Sequence, residues 1–192
     1  MTILRQGFGG YVSAGDCLSA EHEGFTIVAT LHADDDQDPP WEREDGHGPV
    51  YTTKHPKAGW RRLTYEADPT YYYDYEGALA LAMRDHWGPR GGDRPGLSRE
   101  DNAKLAVEED YEALRAWCED EWRYYGVAVT VSKAGVQLTG EYDHAVWGIE
   151  GNYPGGDNSY FPEVANQLAE EALDAAKETL KTLCECEGVD HV

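Results

Sequence analysis

Positive charge is what this chain has least of. Its 16 Lys and Arg face 37 Asp and Glu, a formal net charge of −21 over 192 residues. A compact body with that surplus repels itself, repels nucleic acid and anionic membrane, and attracts basic surfaces. Direct binding of nucleic acid or membrane is therefore not expected. Long apolar runs are also missing, since none approaches the roughly 20 residues of a membrane span. The stretch Met1 to Gly7 lacks a basic segment followed by a long apolar one, so no signal peptide is expected and the chain reads as cytoplasmic. Cysteine is sparse, with four residues, which in the cytosol are expected to be thiols. Familiar catalytic signatures are absent too. There is no Gly-x-Ser-x-Gly, no Gly-Lys-Ser/Thr follows Gly7-Phe8-Gly9-Gly10, and the histidines never stand four apart.

What the chain does have is apolar and aromatic material. Hydrophobic residues make up 41% of it, with 6 Trp, 13 Tyr and 3 Phe. Each aromatic buries roughly 150–250 Å², so a core forms despite the charge. The run Phe25 to Leu31 is rich in β-branched residues and predicts an inner strand over 24–33. It leads into Asp34-Asp35-Asp36-Gln37-Asp38-Pro39-Pro40, which cannot continue a ladder. A long acidic loop is expected from about 33 to 57. A second strand is expected over 60–67 and a short extended stretch over 71–73, followed by a helix over 75–86. Gly88 to Gly96 breaks that helix and reads as a flexible, locally basic connector, the one candidate boundary in what is otherwise a single domain, 1–192.

Ser98 followed by Glu100 and Asp101 marks a helix start. That helix is expected to reach about Tyr124, with Val107, Tyr111, Leu114, Cys118, Trp122 and Tyr125 as its apolar stripe. Two β-rich runs around Ala134-Gly135 predict a hairpin over 127–140, and 145–149 offers a further strand. A last helix is expected from near Pro162 to Cys184, with Val164, Leu168, Ala172, Ala176, Leu180 and Leu183 inward. Short turns between strands favour an antiparallel sheet, so the expected fold is α+β, an antiparallel sheet with three main helices packed on one side.

Three patterns invite a chemical reading. Asp34, Asp36 and Asp38 alternate like ligands of a hard cation, but an EF-hand-like loop needs Gly and Glu where Pro39 and Asp45 stand. A looser divalent site with Glu42 or Glu44 stays open, and a solvated acidic loop is the simpler reading. Cys184-x-Cys186 with His191 has the wrong spacing for zinc. Carboxylate pairs such as Glu108 with Glu112 and Glu170 with Asp174 fall at helical spacing on outward faces, where solvated surface is the ordinary outcome. No metal, cofactor or catalytic residue is assigned. The aromatic clusters Tyr71-Tyr72-Tyr73-Asp74-Tyr75 and Trp117, Trp122, Tyr124, Tyr125 read mostly as core, with some as binding anchors.

Two stretches, Asp34 to Val50 and Leu114 to Trp122, together with Trp147-Gly148-Ile149-Glu150-Gly151-Asn152-Tyr153-Pro154-Gly155-Gly156-Asp157-Asn158-Ser159-Tyr160, resemble a family of short acidic proteins encoded by proteobacterial phages, prophages and integrated elements. The resemblance carries no activity. It implies a setting, a mobile element acting in a bacterial cytoplasm. In that setting the charge points to a non-enzymatic accessory protein. It would mimic nucleic acid and occupy the basic channel of a host or phage nuclease, restriction or CRISPR complex. Its contacts are expected at Asp34, Asp35, Asp36, Glu42, Glu44, Glu108, Glu112, Glu119, Glu170, Glu171 and Asp174. Two alternatives stand beside this: a homo-oligomeric or phage-partner interaction module using exposed aromatics, and a metal-dependent hydrolase using the acidic loop.

Overall fold

The computed structural model describes residues 2–43, 46–64 and 70–186, the last without the side chain of Cys186. The chain is α+β, as the sequence predicts, but it gathers into two compact units, residues 1–35 with 123–192 and residues 36–122. The divisions fall at 35/36 and 122/123 rather than in the 88–96 segment. The three long helices are divided between these units.

The first unit is built on a five-stranded antiparallel sheet. Strands β1 (Cys17–His22) and β2 (Phe25–Ala33) form a hairpin, and β2 pairs along its length with β6 (Arg123–Lys133). The far edge of β6 is shared by two strands, β7 (Val136–Gln137) near its end and β8 (Ala145–Gly151) near its start. The β2 run is an inner strand because both edges are paired. Alternation does the rest. Phe25, Ile27, Ala29 and Leu31 of β2 and Val127, Val129 and Val131 of β6 point to one face. There they meet α4 (Tyr160–Cys186) through Val164, Leu168, Ala172, Leu173 and Ala176. Alanines at 165, 169, 172 and 176 let this helix lie close to the sheet. Leu180 packs at the margin, whereas Leu183, expected inward, is 52% exposed because the helix has run past the sheet by then.

Asparagines strap the N-terminal segment to this core. Asn166 Oδ1 accepts from the amides of Ile3 and Leu4 at 2.8 and 2.9 Å, and its Nδ2 donates to Leu4 O at 3.1 Å. Asn152, held at φ 63°, accepts from Val12 N and donates to Val12 O. The polar loop after β8 is thus a clamp as well as a turn.

The second unit has a three-stranded sheet in the order β3 (Val50–Thr52), β5 (Tyr71–Asp74), β4 (Trp60–Arg62). With it go the one-turn α1 (Pro40–Arg43), α2 (Tyr75–Asp85) and α3 (Arg99–Cys118). Part of the stretch expected as one long acidic loop is therefore α1 and β3. Asp74 caps α2 by accepting from Gly77 N, and Ser98 caps α3 by accepting from Asp101 N. Leu63, Tyr73, Ala78, Ala82, Val107, Tyr111 and Leu114 make the core. Helix α3 stops six residues before the expected Tyr124. Asp120 takes a left-handed φ of 61°, and the Trp122 indole turns back to donate to Ala113 O at 2.7 Å. Trp122 is thereby buried, but Tyr125 leaves the expected helical stripe and becomes a β6 residue. The 88–96 segment is pinned, with Arg90 N donating to Glu109 and Arg94 N to Asn102 Oδ1.

Replacing Asn166 with Ala strands two buried amide donors at Ile3 and Leu4. We expect a loss of about 1–3 kcal/mol in unfolding free energy. Amide exchange at Ile3 and Leu4, followed by NMR, should accelerate at the same time.

Candidate binding surfaces

The structure sorts the eleven candidate acids rather than gathering them. Asp34 is a structural anchor. Its Oδ2 accepts from Gly148 N at 2.8 Å and its own amide donates to Tyr124 O at 3.1 Å. Asp35 lies 3.8 Å from Arg123. In the second unit Asp36 and Glu42 are exposed, while Glu44 lies outside the described residues. The α3 acids are largely matched by cations. Glu108 takes the Arg61 guanidinium at 2.7 Å, and Glu112 and Glu119 share Arg115 at 2.9 and 2.8 Å. Arg61 is raised above its ordinary value, since burial lowers it but Glu108 outweighs burial. The Arg115 guanidinium is likewise raised, first by its hydrogen bond to Glu112.

Glu163, Glu170, Glu171 and Asp174 are exposed at helical spacing, and no lysine or arginine occurs from 160 to 176. Cations return only at Lys177, which bonds Glu23 at 2.6 Å, and Lys181, 3.5 Å from Glu178. The stripe belongs to a unit with few cations, namely Arg5, Arg123, Lys133, Lys177 and Lys181.

On the sheet face opposite α4 lies a feature that sequence patterns did not reveal. Strand β8 carries a bulge against β6. Val146 pairs with Val127 and Ile149 with Tyr125, so Trp147 and Gly148 together oppose Gly126. Gly148 supplies the left-handed φ of 77° that the bulge requires. The bulge turns the Trp147 ring onto the strand, where a Cβ at Gly126 would collide with its Cε3. Trp147, Tyr142 and His32 form a three-ring cluster with centroids 5.4 to 6.1 Å apart and planes inclined by 46° to 74°. Tyr142 is 52% and Trp147 43% exposed. Beside the rings opens a cleft of about 300 Å³, lined by Thr30, His32, Ala128, Thr130, Gln137 and Glu141. A hydrogen bond to Glu141 is the main cause that raises the Tyr142 phenol. The one sequence hint was Trp147 in a Gly-rich stretch. The tyrosines and tryptophans that were singled out include Tyr73, Trp122, Tyr124 and Tyr125, all buried.

A second arrangement looks catalytic but is structural in its geometry. Asp110, in α3, receives Tyr73 OH at 2.7 Å and Gly48 N at 2.8 Å, and its Oδ1 lies 2.6 Å from His47 Nδ1. Tyr73 is fully buried, and its phenol is raised by burial first and then by the Asp110 charge. This carboxylate ties loop 46–49 to the helix. A Cβ on Gly48 would fall 2.5 Å from the Tyr73 ring, so the close approach needs glycine.

Among the described residues, no group of three or more His, Cys, Asp or Glu is placed to hold a metal ion. The Cys186 side chain and His191 of the zinc-like pattern lie outside those residues. Among the same residues no helix is long and apolar enough to cross a membrane. Burial first, then Glu119 and Asp120, push the Cys118 thiol up to about 12, away from nucleophile chemistry. Comparison with protein-family models, with curated proteins and with solved structures yields no match.

Asp110→Ala leaves the Tyr73 hydroxyl and Gly48 amide without their acceptor, and we expect a loss of about 3 kcal/mol, read as a lowered Tm by circular dichroism. Iodoacetamide at pH 8 should modify exposed Cys17 and Cys184 well before Cys118, with peptide mass spectrometry as the readout. Cys118 should respond only as pH rises toward its shifted value.

Proposed function

We propose that this is a non-catalytic accessory protein that docks on the basic, nucleic-acid-binding surface of a processing or defence complex, in the phage or mobile-element setting implied by the sequence resemblance. The observation that carries this reading is the exposed α4 stripe. Glu163 to Asp174 spans about 16 Å at 1.5 Å per residue. Its four carboxylates stand about 5.5 Å apart on average along the axis, a sparser row than the roughly 3.4 Å per charge along one strand of DNA but of the same sign and order. The cation-poor unit around it adds a field of the same sign. Such a field accelerates encounter with a basic groove and weakens as salt screens it.

On this reading the exposed α4 acids Glu163, Glu170, Glu171 and Asp174 are the centre of the contact set. Glu108, Glu112 and Glu119 are already matched by arginines, and solvent-exposed pairs of that kind present little net field to a partner. Asp34 serves the bulge. The metal-dependent hydrolase alternative needs converging carboxylates, and the acidic loop supplies no such cluster among the described residues.

The triple variant E170Q/E171Q/D174N should lose about tenfold in affinity for a basic nucleic-acid enzyme captured from infected host lysate, mainly through slower association. E112Q/E119Q should bind as the parent does. Capture should be strong near about 50 mM salt and fall away near about 500 mM. If no basic nucleic-acid protein is recovered at either salt, or if recovery ignores salt, the reading fails.

A further inference from the structure

The cleft beside Trp147 is better defined chemically than the acidic stripe. Its polar lining is rich in hydrogen-bond acceptors. Glu141 contributes a carboxylate, and Thr30 and Thr130 contribute hydroxyl oxygens. Gln137 contributes its amide oxygen, while its Nε2 donates one hydrogen to Thr139 O at 2.8 Å. Among the described residues that line the space there is no lysine or arginine. A ligand for such a wall brings several N–H donors and a positive charge. The aromatic rim asks for the same thing. His32 lines the cleft, and Tyr142 and Trp147 pack on its ring, inclined to it rather than stacked, so partly exposed ring surface lies next to the acceptors. Ring faces attract cations, and Trp does so most strongly.

We propose that this cleft binds a guanidinium group, supplied by an arginine side chain of the protein partner. Guanidinium fits better than ammonium on two grounds. It is planar, so it lies on an aromatic face, and its five fixed donors match a carboxylate together with neighbouring oxygens. A volume of about 300 Å³ sits at the small end of ligand pockets, which suits one long side chain. The site is held ready without a ligand. The β8 bulge aims Trp147 toward Gly126, which leaves room beneath it, and the ring packs on His32 of the cleft wall. Charge complementarity supplies the occupant, since the surrounding unit is strongly acidic and the partner proposed above is basic. The source of the arginine rests on that proposed function, whereas the chemistry of the cleft stands without it.

The test uses the full chain in the absence of any partner, so its outcome is independent of partner capture. N-acetyl-arginine amide is titrated into ¹⁵N-labelled protein, and N-acetyl-citrulline amide, the same shape without the charge, is titrated in parallel. The Trp147 indole N–H, assigned by its disappearance in Trp147→Ala, should shift together with the Thr30 and Thr130 amides and saturate in the millimolar range. Citrulline should bind at least about fivefold more weakly, and Glu141→Gln and Trp147→Ala should each weaken arginine by about fivefold. Should Trp147→Ala fail to fold, Tyr142→Ala at a half-exposed ring carries the same expectation. Equal responses to arginine and citrulline would overturn the assignment. So would shifts confined to Glu170, Glu171 and Asp174, or affinity unchanged in the variants.

Discussion

Strand β6 is the member on which the first unit depends. It pairs with β2 on one edge and with β7 and β8 on the other, so it organises both faces of the sheet at once. Its inward residues, Val127, Val129 and Val131, are fully buried against the alanine-rich side of α4. Burying three valines is worth several kcal/mol, about 1.5–3 each, and a one-residue slip of register would turn them to solvent. The same strictness governs the opposite face. With the valines inward, Gly126, Ala128 and Thr130 must lie on the outward face, where Gly126 makes room for the Trp147 ring and Ala128 and Thr130 line the cleft. The acidic helix and the aromatic cleft are therefore consequences of one alternating strand.

Electrostatics in this protein is decided by local pairing more than by total charge. A net charge of −21 describes the whole chain, yet α3 and α4, both rich in acids, behave differently. On α3 the arginines arrive at short range, from Arg115 within the helix and from Arg61 on β4, and neutralise much of the outward face. On α4 the acids run for three turns before a lysine intervenes. A count of carboxylates cannot separate these cases, because Arg61 reaches Glu108 across 47 residues of sequence.

Much of the fold was legible in the sequence where a local rule operates. The β-branched run gave β2, Ser98 gave the start of α3, and the four-and-three spacing gave α4 nearly to its ends. The misses have physical causes. The apolar spacing at Trp122 continued past Cys118, but the left-handed Asp120 reversed the chain, and tertiary contact overrode periodicity. Short strands such as β3 and β1 lack a periodic signal of their own and exist because a neighbour pairs with them. The candidate acids were legible only as residue types, since their partners come from other elements. The cleft was least legible of all, because it needs a bulge at Trp147-Gly148, a glycine on β6 and a histidine on β2 to coincide.

The second unit is an insertion between β2 and β6, and the chain leaves and rejoins the first unit at neighbouring points. Asp34 N bonds Tyr124 O, and Ala33 stands opposite Tyr125. This fixes an order of events during synthesis. The β1–β2 hairpin emerges first with the inner edge of β2 unsatisfied, and that edge must wait until residues 36–122 have been made before β6 can cover it. The intervening unit, being continuous in sequence, can consolidate while the ribosome is still elongating. An exposed β-branched edge is prone to pair with another chain. Asp34, Asp35 and Asp36 stand directly behind that edge, and like charge on two such chains opposes their approach.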